Sequence, residues 1–271
     1  MSEQSEADRA SRERTPEGYQ EVRRPTSRAV VLDVAASWAR EVLTSHGTLQ
    51  NWAAARPEGE VFAGRGRVYS VAAPVAGPDG RDRWVVRHYR RGGAVASLLG
   101  DRYFSLGRPR PVRELAVSVT ARARGVPTPA VVAAAVYRAG LFDRYDLVTE
   151  LVPSVQPLAA WLEGSTPLAG WERAVDGAAR LVRQLSDAGI VHVDLNAHNV
   201  LLSPEEPENG WVVDLDRARV TSAPNREVAR RMSTRLLRSV RKIAATAGTR
   251  IDADETGRTL HATADAGEVN E

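Results

Sequence analysis

The 271-residue chain reads as an α+β, two-lobed fold, and three observations predict it. Short strand-like runs with proper turn residues dominate up to about residue 151. From Leu168 the apolar period lengthens to three and four residues, which is helical. Two short apolar runs, Val200–Leu202 and Trp211–Val213, then frame polar loops. Strands and helices do not alternate, so a doubly wound parallel sheet is not expected.

The elements follow in order. Residues 1–28 mix Ser, Glu, Arg and Pro without apolar period, and a disordered tail is expected there. An N-lobe over 29–152, mostly β with one helix, includes Val61-Phe62-Ala63, Gly64-Arg65-Gly66 and Val68-Tyr69-Ser70-Val71. The turn Gly77-Pro78-Asp79-Gly80 leads into the strand Trp84–Tyr89. A helix is expected over about Val112–Arg124, ended by Gly125 and Pro127, and then strands at Ala130–Tyr137 and Tyr145–Leu151. A C-lobe over 153–248, mostly α, sets Trp171, Val175, Ala178, Val182, Leu185 and Ala188 on one helical face, with Gly189 as the stop. Residues 249–271 read as a second tail.

Composition excludes several classes. With 43% hydrophobic residues the chain can bury a substantial core, so it is not wholly disordered. The longest apolar run, Ala130–Tyr137, has eight residues, far short of the ~20 of a membrane-spanning helix. The first residues are charged and polar, so a secretory signal is not expected, and the absence of cysteine removes disulfides, thiolate metal sites and cysteine nucleophiles. The cytosol is the expected compartment. Net charge is +3, and Lys242 is the single lysine among 37 basic residues. Arginine suits phosphate and carboxylate, because its planar fork donates two parallel hydrogen bonds. That surplus does not indicate nucleic acid, and no nucleic-acid partner is expected. A mechanism that needs a catalytic lysine within the domain is excluded.

The sharpest segment is Val191-His192-Val193-Asp194-Leu195-Asn196-Ala197-His198-Asn199-Val200-Leu201-Leu202, followed by Trp211-Val212-Val213-Asp214-Leu215-Asp216. Phosphoryl transfer needs one carboxylate to receive the acceptor hydroxyl's proton. It also needs an amide oxygen and a second carboxylate to hold magnesium on the nucleotide phosphates. Asp194 is therefore the expected base, Asn199 and Asp214 the expected Mg2+ ligands, and ATP the expected donor. His192 reads as a residue that packs the loop rather than as a base. A hairpin of merely solvated polar residues would not need six constrained positions in order behind a long helix. The pattern resembles the catalytic and metal-binding loops of the protein-kinase-like two-lobed fold.

That resemblance directs attention upstream. Gly64 and Gly66 could cover phosphates with backbone amides, or simply make a turn. Arg87 stands where a kinase strand normally carries lysine, and Glu114 in the following helix is its natural partner; an ordinary ion pair is the plainer alternative. Glu150 to Val152, after a strand and before Pro153, occupy by order the hinge whose backbone meets adenine. Arg102, Arg108, Arg110 and Arg113 could receive substrate phosphate or carboxylate, or be a solvated loop.

The likeness can be narrowed. Arg87-His88-Tyr89-Arg90-Arg91-Gly92-Gly93, Asp101-Arg102-Tyr103, Val126-Pro127-Thr128-Pro129, the Asp194–Asn199 segment, Asp214-Leu215-Asp216-Arg217 and Leu236–Lys242 together resemble the 3-deoxy-D-manno-octulosonic acid (Kdo) kinases of the lipopolysaccharide kinase family. The likeness covers about Val61 to Ile243. It implies a kinase that phosphorylates the Kdo sugar of a Kdo-lipid A precursor in lipopolysaccharide biosynthesis. It also implies a peripheral place on the cytoplasmic side of the cell inner membrane. Arg87 in place of lysine is in keeping with that group, whereas Leu215 stands where an aromatic is common.

Residues Asn225–Ala244 read as an amphipathic helix of charge +6, with Val228, Met232, Leu236, Val240 and Ala244 at four-residue steps. The stripe suits the core, and the arginines suit an anionic membrane surface as partner. Two other readings fit the same residues. A small-molecule phosphotransferase of the aminoglycoside or choline kinase type shares the Asp…Asn…Asp-x-Asp grammar. A non-catalytic nucleotide-binding module would explain Arg87 as a mark of lost activity, although Asp194, Asn199 and Asp214 are intact.

Overall fold

The computed structural model describes residues 15–56, 60–62, 68–90, 103–104, 107–164, 168–222 and 226–265. Two compact units emerge: one runs to Ala116 and resumes over Ala130–Leu151, the other comprises Val117–Pro129 and everything from Val152. Each has its own core.

In the first unit an antiparallel sheet carries β1 (Tyr19–Arg24), β2 (Ser27–Leu32), β7 (Val131–Ala139), β8 (Phe142–Glu150), β5 (Arg83–His88), β4 (Val68–Ala72) and β3 (Glu60–Phe62) in that spatial order. β6 (Tyr103–Phe104) pairs with β8 off this path. Strand alternation divides β5: Trp84 and Val86 enter the core, whereas Arg87 lies on the other face. Helices α1 (Ala36–Ser45) and α2 (Leu49–Ala54) cover the core face, and Trp38 meets Trp52 and Trp84 edge-on at centroid distances of 5.0 and 4.8 Å.

A buried polar network ties α2 to the sheet. Asp146, with no exposure, accepts from Tyr137 Oη (2.7 Å) and from the Gln50 amide (2.9 Å), and its other oxygen meets His88 Nδ1 at 2.6 Å. Tyr137 Oη in turn accepts from the Leu49 amide at 2.9 Å. Two first-turn donors of α2 that have no helical partner are thereby satisfied. Burial first, and the Asp146 charge second, push the Tyr137 phenol well above its ordinary pKa.

Helix α3 (Arg110–Ala123) crosses from the first unit to the second at Ala116. The second unit then holds β9 (Gln156–Pro157), α4 (Ala159–Leu162), α5 (Trp171–Asp187), β10 (Ile190–Val191), β11 (Val200–Leu202), β12 (Gly210–Val212), a 3-10 turn (Leu215–Arg217), β13 (Arg219–Val220), α6 (Arg226–Ala247) and α7 (Ala253–Asp265). The small sheet runs β12-β11-β9, and β10 pairs with β13. Gly177, inside α5, is needed for packing: a Cβ there would lie 2.0 Å from Pro207 O in the β11–β12 connection. Gly189 ends α5 region at φ 65°, and a Cβ there would lie 2.5 Å from Thr221 O.

Several expectations need correction. The first tail was expected to reach residue 28, yet Tyr19–Arg24 and the start of β2 form a hairpin. β1 is an edge strand with one buried apolar residue, Val22, so its sequence is charged and lacks an apolar period. The second tail contains α7, capped by Asp252 Oδ1 at the amides of Asp254 (3.0 Å) and Glu255 (2.8 Å). Leu260 anchors it in the core, and Ser233 Oγ donates to Leu260 O at 2.7 Å. A single large apolar residue gives almost no periodic signal. The N-lobe has α1 and α2 besides the expected helix, and Val117–Pro129 belongs with the second unit.

Candidate active site

The residues expected to perform chemistry fall into two sets, one in each unit. In the second unit, the β11–β12 hairpin holds Asn199 and Asp214 at neighbouring ends. Val200 pairs with Val212, and the ladder continues one step as the Val213 amide donates to Asn199 O at 3.0 Å. Asp214 follows at once in the left-handed region (φ 64°, ψ 55°), which Asp tolerates better than most residues. That single left-handed residue turns the chain out of the strand and into the 3-10 turn Leu215–Arg217.

The Asp194 segment is braced by its own side chains. Asn196 Nδ2 and Asn199 Nδ2 both donate to Asp194 O, at 2.9 and 3.3 Å. Asn196 Oδ1 accepts from the His198 amide at 2.9 Å, and Ser239 Oγ on α6 accepts from the Ala197 amide at 3.1 Å. With its NH2 so engaged, Asn199 has its side-chain oxygen left to act as a ligand. The Asp194 carboxylate is half-exposed, and Arg217 Nη1 donates to its Oδ2 at 2.6 Å. No described residue donates to Oδ1. Leu215 and Asp216 are buried, so Asp216 belongs to the wall of this turn.

His192 packs beneath the loop. It is 2% exposed, its Nε2 meets Val213 O at 3.2 Å, and its Nδ1 is buried with no hydrogen-bond partner among the described residues. A carbonyl only accepts, so the proton sits on Nε2 and the ring is neutral. Burial lowers its pKa from 6.5; the Val213 carbonyl and the charges of Asp214 and Asp194 act in the opposite sense.

In the first unit Arg87 and Glu114 meet. Arg87 Nη2 lies 2.8 Å from Oε1 and 2.7 Å from Oε2 of Glu114, which is nearly buried. Tyr89 Oη also donates to Glu114 Oε2, and the Arg87 guanidinium lies 4.8 Å from the Tyr89 ring centre. Arg110 sits 5.6 Å from the rings of both Tyr89 and Tyr103. Tyr103 stacks on Tyr145 at 4.9 Å, and burial pushes the Tyr145 phenol up to about 12. Glu150 spends its side chain on the fold: its oxygens accept from the amides of Asp79 (3.0 Å) and Arg81 (3.1 Å) in the β4–β5 turn. Its own amide donates to Ala130 O, and Val152 is buried just beyond β8. Gly64, Gly66 and Arg102 lie outside the described residues.

Sequence reasoning gave no separate role to Arg217 or Tyr89. Both stand within segments that carry the family likeness, and only the fold shows what they touch. Among the described residues no group of three or more His, Cys, Asp and Glu side chains could hold a metal by itself.

The Lipopolysaccharide kinase (Kdo/WaaP) family matches residues 58–254. A 3-deoxy-D-manno-octulosonic acid kinase from Xylella fastidiosa (strain M12) is 36% identical over 184 residues, covering 66% of this chain and 68% of its own. The enzyme of that name from Xanthomonas campestris pv. campestris (strain B100) is 34% identical over 215 residues, covering 78% and 80%. A solved structure of WaaP in complex with acyl carrier protein covers 75% of this chain and 78% of its own, at 21% identity and a TM-score of 0.44. The fold mixes helix and sheet as in protein-kinase-like enzymes, and the matched family is one of kinases, that is, phosphotransferases. The chain belongs to the lipopolysaccharide kinase (Kdo/WaaP) family.

The buried His192 makes stability depend on pH with a definite sign. Its folded-state pKa lies below 6.5, so the unfolded chain binds the proton more readily. Stability is therefore full above the unfolded pKa and declines as pH falls through and below it, by at most ~1.4 kcal/mol per pH unit from this group. His192→Gln retains an N–H for Val213 O and removes the titration. Urea unfolding at about pH 7.5 and about pH 5.5 should show a smaller loss for the variant than for wild type. Equal losses would contradict the assignment.

Proposed function

We propose that the protein transfers the γ-phosphoryl group of ATP to a hydroxyl of Kdo in a Kdo-lipid A precursor, a step of lipopolysaccharide core biosynthesis. The carrying observation is the Asp194 carboxylate, braced through its own carbonyl by Asn196 and Asn199 and open at Oδ1. Asp194 takes the hydroxyl proton as the new O–P bond forms and the bond to ADP breaks. A raised pKa is unnecessary, because the transition state is loose and catalysis consists mainly of positioning and charge neutralisation.

Asn199 and Asp214 suit Mg2+ by their chemistry, one amide oxygen and one carboxylate, both hard donors. Their small number fits a cation that arrives with the nucleotide phosphates and keeps water ligands. Bound there, the ion neutralises charge on the transferring group. Arg87, held by Glu114 and Tyr89, is the cation that meets the nucleotide phosphates; arginine can do this, with a bulkier head than lysine. The Kdo acceptor is supported by the names and identities of the relatives over most of the chain.

The same reading places the protein at the periphery of the inner membrane, on the cytoplasmic side. Among the described residues no helix is long and apolar enough to cross a membrane. Met232, Leu236, Val240 and Ala244 of α6 are core residues, while Arg226, Arg230, Arg231, Arg235, Arg238, Arg241 and Lys242 are exposed. Arg231 pairs with Glu227, and Arg241 lies 3.5 Å from Asp254. Exposed basic residues near an anionic surface attract it by about 1 kcal/mol each.

An assay with ATP, Mg2+ and three acceptors tests the chemistry. Phosphate should pass to the Kdo-lipid A precursor and not to an aminoglycoside or choline. Transfer to either of those without transfer to Kdo would favour the small-molecule reading. Flotation with anionic vesicles tests the location. Binding should be strong at low salt and lost as the Debye length contracts to ~3 Å at 1 M. Substituting Arg230, Arg231, Arg238 and Arg241 by Gln should weaken it without unfolding the chain. A wild type that stays with the soluble fraction at low salt would refute the membrane part.

A further inference from the structure

We propose that Arg217 is a specificity-determining residue of this site: it orients Asp194 and binds the carboxylate of an acidic sugar acceptor. The inference rests on the Kdo reading above and adds the group that recognises the acid.

The contact itself is the first observation. Arg217 Nη1 donates to Asp194 Oδ2 at 2.6 Å, with side chains 58% and 43% exposed. An ion pair so exposed contributes little to stability, so the fold alone does not account for a guanidinium placed on this carboxylate. Arg217 also has donors to spare. Its guanidinium carries five N–H groups, and among the described residues its side chain has no other protein partner. Position is fixed by the backbone on both sides. The 3-10 turn that Arg217 closes begins directly after Asp214, and the Ala218 amide bonds back to Leu215 O at 3.0 Å. Arg219 then pairs with Val191, three residues before Asp194.

Charge supplies the reason. An acidic sugar that presents a hydroxyl to Asp194 brings a second carboxylate toward the first, and like charges disfavour that approach. The segment Asp194-Leu195-Asn196-Ala197-His198-Asn199 has no lysine or arginine to offset it. Arg217 does so from the 3-10 turn after Asp214, with one N–H on Asp194 Oδ2 and further donors for the incoming carboxylate. Oδ1 is left to receive the proton. A guanidinium in this place would repel the cationic acceptors, aminoglycosides and choline. The name of the relatives' substrate states that it is an acid.

The test compares the Kdo acceptor with its methyl ester, which keeps every hydroxyl and loses the charge. Wild type should prefer the acid in kcat/KM by about tenfold or more, the scale of a charge-assisted bidentate contact. Arg217→Gln should abolish that preference, chiefly by raising KM for the acid. Arg217→Lys keeps charge without the fork and should restore part of it. Wild type that uses acid and ester equally would overturn the assignment and leave the Kdo reading standing. Equal loss of kcat on both acceptors in Arg217→Gln, at unchanged KM, would also overturn it, placing the guanidinium on the transferring phosphoryl group. A wild type that phosphorylates neither would overturn the Kdo reading and this inference with it. The wild-type comparison needs no variant, so a misfolded Arg217→Gln leaves the proposal testable.

Discussion

The hydrogen bond from the Val213 amide to Asn199 O is the join on which the second unit's site depends. Asn199 and Asp214 are separated by an excursion through β11, a connection and β12, and a free chain of that length brings its ends together only at an entropic cost. The β11–β12 ladder meets that cost with main-chain bonds and buried Val200, Leu202 and Val212. Its last rung sets the two candidate ligands side by side. The α5 helix supports the hairpin from beneath, because Gly177 leaves room for Pro207 O. His192 closes the arrangement by bonding to Val213 O, which makes a buried neutral imidazole part of the scaffold.

The first unit solves a different problem, holding a cation and a carboxylate together with little water. Glu114 is 4% exposed and accepts from both Arg87 and Tyr89. Breaking a nearly buried ion pair by removing one of its charges is destabilising. Alternation along β5 makes the pair possible: Arg87 faces Glu114 while His88, one residue on, reaches the Asp146 network. One strand therefore serves two polar clusters on opposite faces.

Much of this was legible in the sequence, and the reasons differ by element. The α5 helix and its Gly189 stop followed from a strict apolar stripe and a glycine that takes the left-handed turn without strain. The pairing of Arg87 with Glu114 followed from the kinase-like resemblance together with the order of elements. What escaped was carried by partners distant in sequence. Arg217 reaches Asp194 across 23 residues, and no local period marks it. β1 hid its strand character behind edge-strand charges, and α7 presented little but Leu260 to the core. α1 and α2 were missed although their signals are present: Trp38, Ala39, Val42 and Leu43 fall on one face, and Thr48 caps α2 through the Asn51 amide.

The proposed function divides the labour: Asp194 is proposed to receive the proton and Asp214 to hold the metal on the nucleotide. Titration calorimetry of MgATP binding combined with steady-state turnover, on Asp194→Asn and Asp214→Ala side by side, tests it most directly. Asp194→Asn should bind MgATP nearly as wild type does while turnover falls about 10²-fold or more. Asp214→Ala should lose the magnesium-dependent part of ATP affinity together with turnover. Wild-type turnover in Asp194→Asn, or wild-type MgATP affinity in Asp214→Ala, would contradict the account.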